Sequence, residues 1–185
     1  MEEHHRDIMA QITKRVDYMH GIEEKKSDHE IFFQLMREGD NLRVFDSKKH
    51  LLKTNPMKEM MFVAEKDSDT GNIRIFVGDT EEGVRHHSGL ADGDNIFMAG
   101  TIKTRGGEII FDNQSGHFRP SENEMIRFIK DLYRQLKSRF STDDESTPVD
   151  TFFKNRLKIK VFKPEEESGD IIPTKERSAF SLISK

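Results

Sequence analysis

The sequence predicts an α+β domain in which a central antiparallel sheet packs against N-terminal helices and one long helix. Three observations predict it. Short apolar runs of strand-like composition fill the middle of the chain, the pair Gly106-Gly107 sits between two of them, and one apolar stripe at helical spacing runs from Met125 to Phe140. On this basis the 185 residues divide into N-terminal helices (1–40), an α+β core (41–163) and a flexible tail (164–185).

Ile8, Ile12, Val16 and Met19 recur at helical spacing among charged residues, so residues 3–20 read as an amphipathic helix that Gly21 stops. Ser27-Asp28-His29-Glu30 has the spacing of a capping box, and Ile31, Phe32, Leu35 and Met36 come after it, which predicts a second, short helix ending near Gly39. Residues 60–64 and 73–77 are the clearest β-type runs, joined by a polar turn over 67–72. The runs 95–103 and 108–112 flank Thr104-Arg105-Gly106-Gly107, whose glycines supply the positive φ of a tight hairpin turn. Ser121-Glu122-Asn123-Glu124 is another capping box, and Met125, Phe128, Ile129, Leu132, Leu136 and Phe140 then line one face of a long helix. Residues 141–148 lack a period and read as a loop; 157–162 alternate apolar residues with lysine like a half-buried strand. Beyond Lys163 no period returns before the apolar cluster Phe180, Leu182 and Ile183.

Apolar residues make up 34% and charged residues 35%, so the core is economical in apolar groups, and 14 Phe and 9 Met with no Trp predict one filled by phenyl rings and thioethers. The absence of cysteine excludes disulfides, a thiol nucleophile and Cys-ligated metal. A net charge of −4 gives no general attraction to phosphate backbones, so no nucleic-acid role is expected. No apolar run reaches the length of a membrane span, and the beginning of the chain is not a basic-then-apolar leader. The expectation is a soluble domain in a reducing compartment.

Two loops carry groups suited to chemistry. Gly83-Val84-Arg85-His86-His87-Ser88-Gly89 sets two imidazoles beside a hydroxyl between glycines, where backbone amides can approach an anion. Ser115-Gly116-His117-Phe118-Arg119-Pro120 precedes the long helix, whose N-terminal N–H groups and dipole favour an anionic ligand. In this arrangement His117 and His87 are the catalytic acid–base candidates, and His86, Ser88, Ser115, Gly116, Phe118 and Arg119 are the ligand-binding ones. The bland alternative for both segments is a polar surface turn. His4, His5, His86, His87 and His117 match no recognised metal spacing, so no metal is assigned. The phosphate-loop and EF-hand patterns fail at Val84-Arg85 and at Gly71 and Gly78 respectively. The cationic face of the long helix offers docking in a groove such as calmodulin's, although a core helix has the same pattern.

Phe62-Val63, residues 73–77, His86-His87-Ser88, Ala99-Gly100 and Ser115-Gly116-His117-Phe118-Arg119-Pro120 stand in an order that resembles a known domain. It is found in C-terminal modules of bacterial polymorphic toxins, in secreted effectors and in plant IQ-motif calmodulin-binding proteins. The similarity spans about residues 58–140, with Gly89 where the pattern prefers Ser, Thr101 near where it often has Glu, and Phe118 in place of Tyr. The acidic run Glu165-Glu166-Glu167 with Leu182-Ile183 resembles a type IV secretion signal. These resemblances imply a bacterial virulence effector secreted into the host-cell cytoplasm. Its cleft would bind a phosphate-bearing ligand, with NAD or another nucleotide as the candidate cofactor of a group transfer to a host protein. The alternative they leave open is a non-catalytic interaction module that binds a host protein, calmodulin among the candidates, or a bacterial partner.

Overall fold

The computed structural model describes residues 29–36, 41–55, 60–78, 96–114, 120–140, 148–164 and 171–183. Strands β1 (Glu30–Leu35), β2 (Leu42–Phe45), β3 (Met60–Lys66), β4 (Ile73–Gly78), β5 (Ile96–Arg105) and β6 (Glu108–Asp112) come first. Helices α1 (Glu122–Phe140) and α2 (Pro148–Asn155) come next, then β7 (Leu157–Lys160), β8 (Phe162–Pro164), β9 (Ile171–Pro173), β10 (Arg177–Ser178) and the short α3 (Phe180–Ile183). Eight strands form one sheet in the order β10-β7-β6-β5-β3-β4-β1-β2, and β8 pairs with β9 in a separate ribbon. No helix among the described residues is long and apolar enough to cross a membrane.

The expected strands and hairpin are present. Asp67 closes the β3–β4 turn by accepting from the Asp69 and Thr70 amides, and Gly71 takes the positive φ of 73°. At the β5–β6 turn Gly106 and Gly107 have φ of 57° and 88°, the two positive values a type I′ turn requires. Side chains alternate across β3: Met60, Phe62 and Ala64 enter the main core, while Met61 and Val63 join Phe76, Ile96 and Ala99 in a second apolar cluster on the opposite face.

Residues 30–35 correct the expected second N-terminal helix. They form β1, paired with β2 through Phe32–Phe45 and with β4 through Ile31–Ile75. Aromatic and branched side chains favour the pleated strand, and the alternation decides its faces: Ile31 is buried, Phe33 and Leu35 pack on the core, and Phe32 and Gln34 face out. Glu30, which fits the capping pattern, instead accepts from Arg74 across the ladder at 2.5 and 3.2 Å. The amphipathic helix expected over 3–20 lies outside the described residues.

The capping box at Ser121 forms as expected: the Glu124 amide donates to Ser121 Oγ at 3.2 Å, and the Ser121 amide donates to Glu124 Oε1 at 3.0 Å. The stripe Met125, Phe128, Ile129, Leu132 and Leu136 is fully buried, each side chain contributing roughly 1.5–3 kcal/mol over its exposed state. Phe128 packs against Phe62, Phe97 and Phe111 at centroid separations of 5.6–5.8 Å, so the core is built of phenyl rings. α2 leads directly into β7, which joins β6 in parallel and makes the sheet mixed. Residues 171–183 depart from the expectation of an irregular tail. They add β9, β10 and α3; the Ala179 amide donates to the Leu157 carbonyl, and Ala179 and Leu182 are buried in the main core.

The sheet curls so that the segment after β2 returns to the β5–β6 hairpin. The Thr54 amide donates to Thr104 Oγ1 at 2.9 Å and the Thr104 amide donates to Thr54 Oγ1 at 2.8 Å, a reciprocal pair that mimics one rung of strand pairing. Phe33 and Phe152 meet edge to face at 6.0 Å on the inside of the same junction.

Candidate functional site

All eight residues assigned to the cleft lie outside the described residues: His86, His87 and Ser88 within 79–95, and Ser115, Gly116, His117, Phe118 and Arg119 within 115–119. The structure does describe the base of the second segment. There Ala99-Gly100-Thr101 on β5 faces the end of β6, and two buried polar residues that sequence reasoning did not single out, Asp112 and Asn113, organise the junction.

Gly100 has a steric reason to be glycine. A Cβ built on it would lie 1.8 Å from the Asp112 carbonyl oxygen and 3.0 Å from the Phe62 ring, so β6 can cross β5 here only because no side chain intervenes. The crossing brings Asp112 to Thr101: the Thr101 amide donates to Oδ1 at 2.8 Å, the Thr101 hydroxyl donates to Oδ2, and the Gln114 amide donates to Oδ1 at 2.9 Å. Burial pushes the Asp112 carboxyl above the usual range, against the lowering effect of these three donors. Asn113 ties β6 to two later points of the chain, its Nδ2 donating to the Pro120 and Phe162 carbonyls at 2.9 and 3.1 Å while its Oδ1 accepts from the Phe162 amide at 2.7 Å. Gln114 and Pro120, the described residues on either side of 115–119, are therefore both held by hydrogen bonds, and the signal in the sequence is a polar pair at the end of an apolar strand.

The raised pKa sets a sign. Between the free carboxyl value and the higher native one, the folded state binds more protons than the unfolded state, so this group's contribution is complete below the free value and is lost as pH rises through the native value. Asp112→Asn keeps the acceptor and removes the titration. Its urea midpoint measured from pH 4 to 7 is expected to lose a downward component that wild type retains; parallel profiles would show that Asp112 titrates normally.

A second surface lies at the β2 end of the sheet. Phe32 pairs with Phe45 across β1 and β2, and Phe45 bridges to Leu51, so three apolar side chains stand in one row. Phe32 is 43% and Leu51 47% exposed, well above the core residues beside them. Asp46 shapes the intervening turn by accepting from the Lys48 and His50 amides at 2.9 Å, and Lys49 adopts a φ of 67° that L residues seldom take. Lys48, Lys49, His50 and Lys53 are exposed around the row. Residues 41–54 hold four cationic side chains and one carboxylate, so this edge is locally basic in a chain of negative net charge.

A curled sheet backed by one long core helix, with exposed apolar groups at one edge, defines a small mixed α/β domain. The family described as IQ motif-containing protein middle domain matches residues 30–125, just over half of the chain. The chain belongs to that family. No curated protein and no solved structure matches it significantly. The match begins at β1 and ends in the first turn of α1, so it covers the basic edge, the Gly100 crossing and both histidine segments. The four glutamines come directly after Ala10, Phe33, Asn113 and Arg134, so this sequence contains no Ile-Gln pair.

Proposed function

We propose that this domain is a non-catalytic protein-interaction module whose binding surface is the row Phe32, Phe45 and Leu51 with its lysine rim. The observation that carries this reading is the exposure of two large apolar side chains in register at a sheet edge, surrounded by cations. Singly exposed apolar residues are ordinary, but an aligned row with a charged rim has the anatomy of an interface. The complementary partner is an acidic protein that offers an apolar groove. A calmodulin-type protein, with its methionine-lined grooves, meets that description and accords with the family.

The partner does not dock on α1. The apolar stripe of that helix is buried in the core, so presenting it would require unfolding the domain. Phe32→Ser combined with Leu51→Ser is expected to weaken binding to calmodulin at least about tenfold in a calorimetric titration, since truncating a central apolar contact typically costs more than 1 kcal/mol. The titration is run with and without calcium, and unchanged affinity would remove this surface from the account.

A second reading is favoured by Asp112, a buried acid with a raised pKa at the start of the Ser115–Arg119 segment. In it His86, His87, Ser88, Ser115, Gly116 and His117 form a cleft for a phosphate-bearing ligand such as NAD, with His117 or His87 as the acid–base group. A nucleotide-dependent rise in melting temperature that His117→Ala abolishes would support this reading over the first.

A further inference from the structure

We infer that the cavity between β2, residues 51–54 and the β5–β6 turn is a binding site for a small amphiphilic oxyanion, a carboxylate or phosphate joined to an apolar body. The cavity measures about 370 Å³, which falls at the lower end of small-molecule sites. Its apolar wall is Val44, Leu51, Leu52 and Phe152, and Arg43 and Lys53 also line it.

Arg43 lines the cavity, and Arg156, which is outside its lining, approaches the same β5–β6 turn. If Gly107 carried a Cβ, that atom would lie 3.3 Å from Arg156 Nη1 and 3.7 Å from Arg43 Nη1, so both guanidinium groups approach one point beside the turn. Gly107 leaves that space open and, at a φ of 88°, suits glycine on backbone grounds too. Arg43 Nη1 is buried and has no hydrogen-bond partner among the described residues. A buried, unsatisfied donor of a charged group is costly, and a second cation close by raises the cost. Glu108, the carboxylate among the lining residues, is engaged by Arg105 at 3.2 Å and Lys158 at 3.8 Å. An oxyanion held between the guanidinium groups satisfies the orphaned donor and relieves the repulsion between the two cations, the fork geometry for which arginine is suited. Its apolar body then rests against Leu51, Leu52 and Phe152.

The site shares Leu51 with the proposed protein-binding row, but its guanidinium groups lie outside that row and its test does not depend on that reading. Removing a donor that is unsatisfied in the empty state gives the test a distinctive signature, because Arg43→Met should lose the ligand without losing stability. Melting of the full chain is monitored against phenyl phosphate, benzoate and inorganic phosphate for wild type, Arg43→Met and Arg156→Met. The expected result is a wild-type rise of roughly 3–6 °C at a tenfold excess of phenyl phosphate or benzoate over Kd. Arg43→Met should melt no lower than wild type when empty and show no ligand shift, and Arg156→Met should show a shift reduced at least threefold. No wild-type shift at millimolar probe, an equal shift in Arg43→Met, or an equal shift from inorganic phosphate would each overturn the assignment.

Discussion

Replacing Gly100 by alanine is expected to destabilise the protein by at least about 3 kcal/mol, near the upper end of the effects of point substitution. The added methyl carbon would stand 1.8 Å from the Asp112 carbonyl oxygen and 2.8 Å from its carbonyl carbon, and both are backbone atoms that no rotamer change can move aside. Gly100 has no positive φ to accommodate, so the effect is one of contact alone. Relief requires β6 to separate from β5 where the Thr101 amide and hydroxyl both donate to the Asp112 carboxylate, which also disturbs the anchoring of Pro120 by Asn113. Chemical denaturation of the variant should show a lowered midpoint or no cooperative transition. A loss below about 1 kcal/mol, the ordinary scale for point variants, would mean that β6 does not cross β5 at this distance.

Leu182→Ala carries the second largest expected effect, a loss of about 2–5 kcal/mol. Leu182 is 1% exposed and sits in the main cluster, with Ala179 beside it and α3 packed on α1 and α2. Truncating the side chain removes its burial and leaves a cavity that neighbouring rings can only partly fill. A mobile tail would predict almost no change. The measurement, a urea midpoint for the full-length variant, therefore separates a C-terminal segment that completes the core from one that hangs free.

The parts of the fold legible in the sequence are those in which local chemistry and tertiary context agree. The β3 and β4 runs, the paired glycines of the β5–β6 turn and the Ser121 capping box each carry a local signal that the packing reinforces. Residues 30–35 mislead because Ser27-Asp28-His29-Glu30 imitates a cap, whereas the side-chain alternation that makes β1 a strand depends on a partner far away in sequence. The C-terminal segment is illegible for a related reason: β10 is two residues long, and its pairing with β7 places no period in the sequence. At the candidate sites, histidines and glycines draw attention because their chemistry is evident from residue type alone. A helical reading puts Phe32 on an apolar face, and only the strand register shows that it points outward beside Phe45 and Leu51. Asp112 reads as an ordinary strand end, and it is the Gly100 crossing that buries it.

Hydrogen–deuterium exchange of the full chain, free and saturated with calcium-loaded calmodulin, tests the interaction surface most directly. Protection confined to residues 30–35 and 42–54, with α1 unchanged and the effect weakening as salt rises, is the predicted result. Protection centred on α1 or on 115–119, or no complex at all, would contradict it.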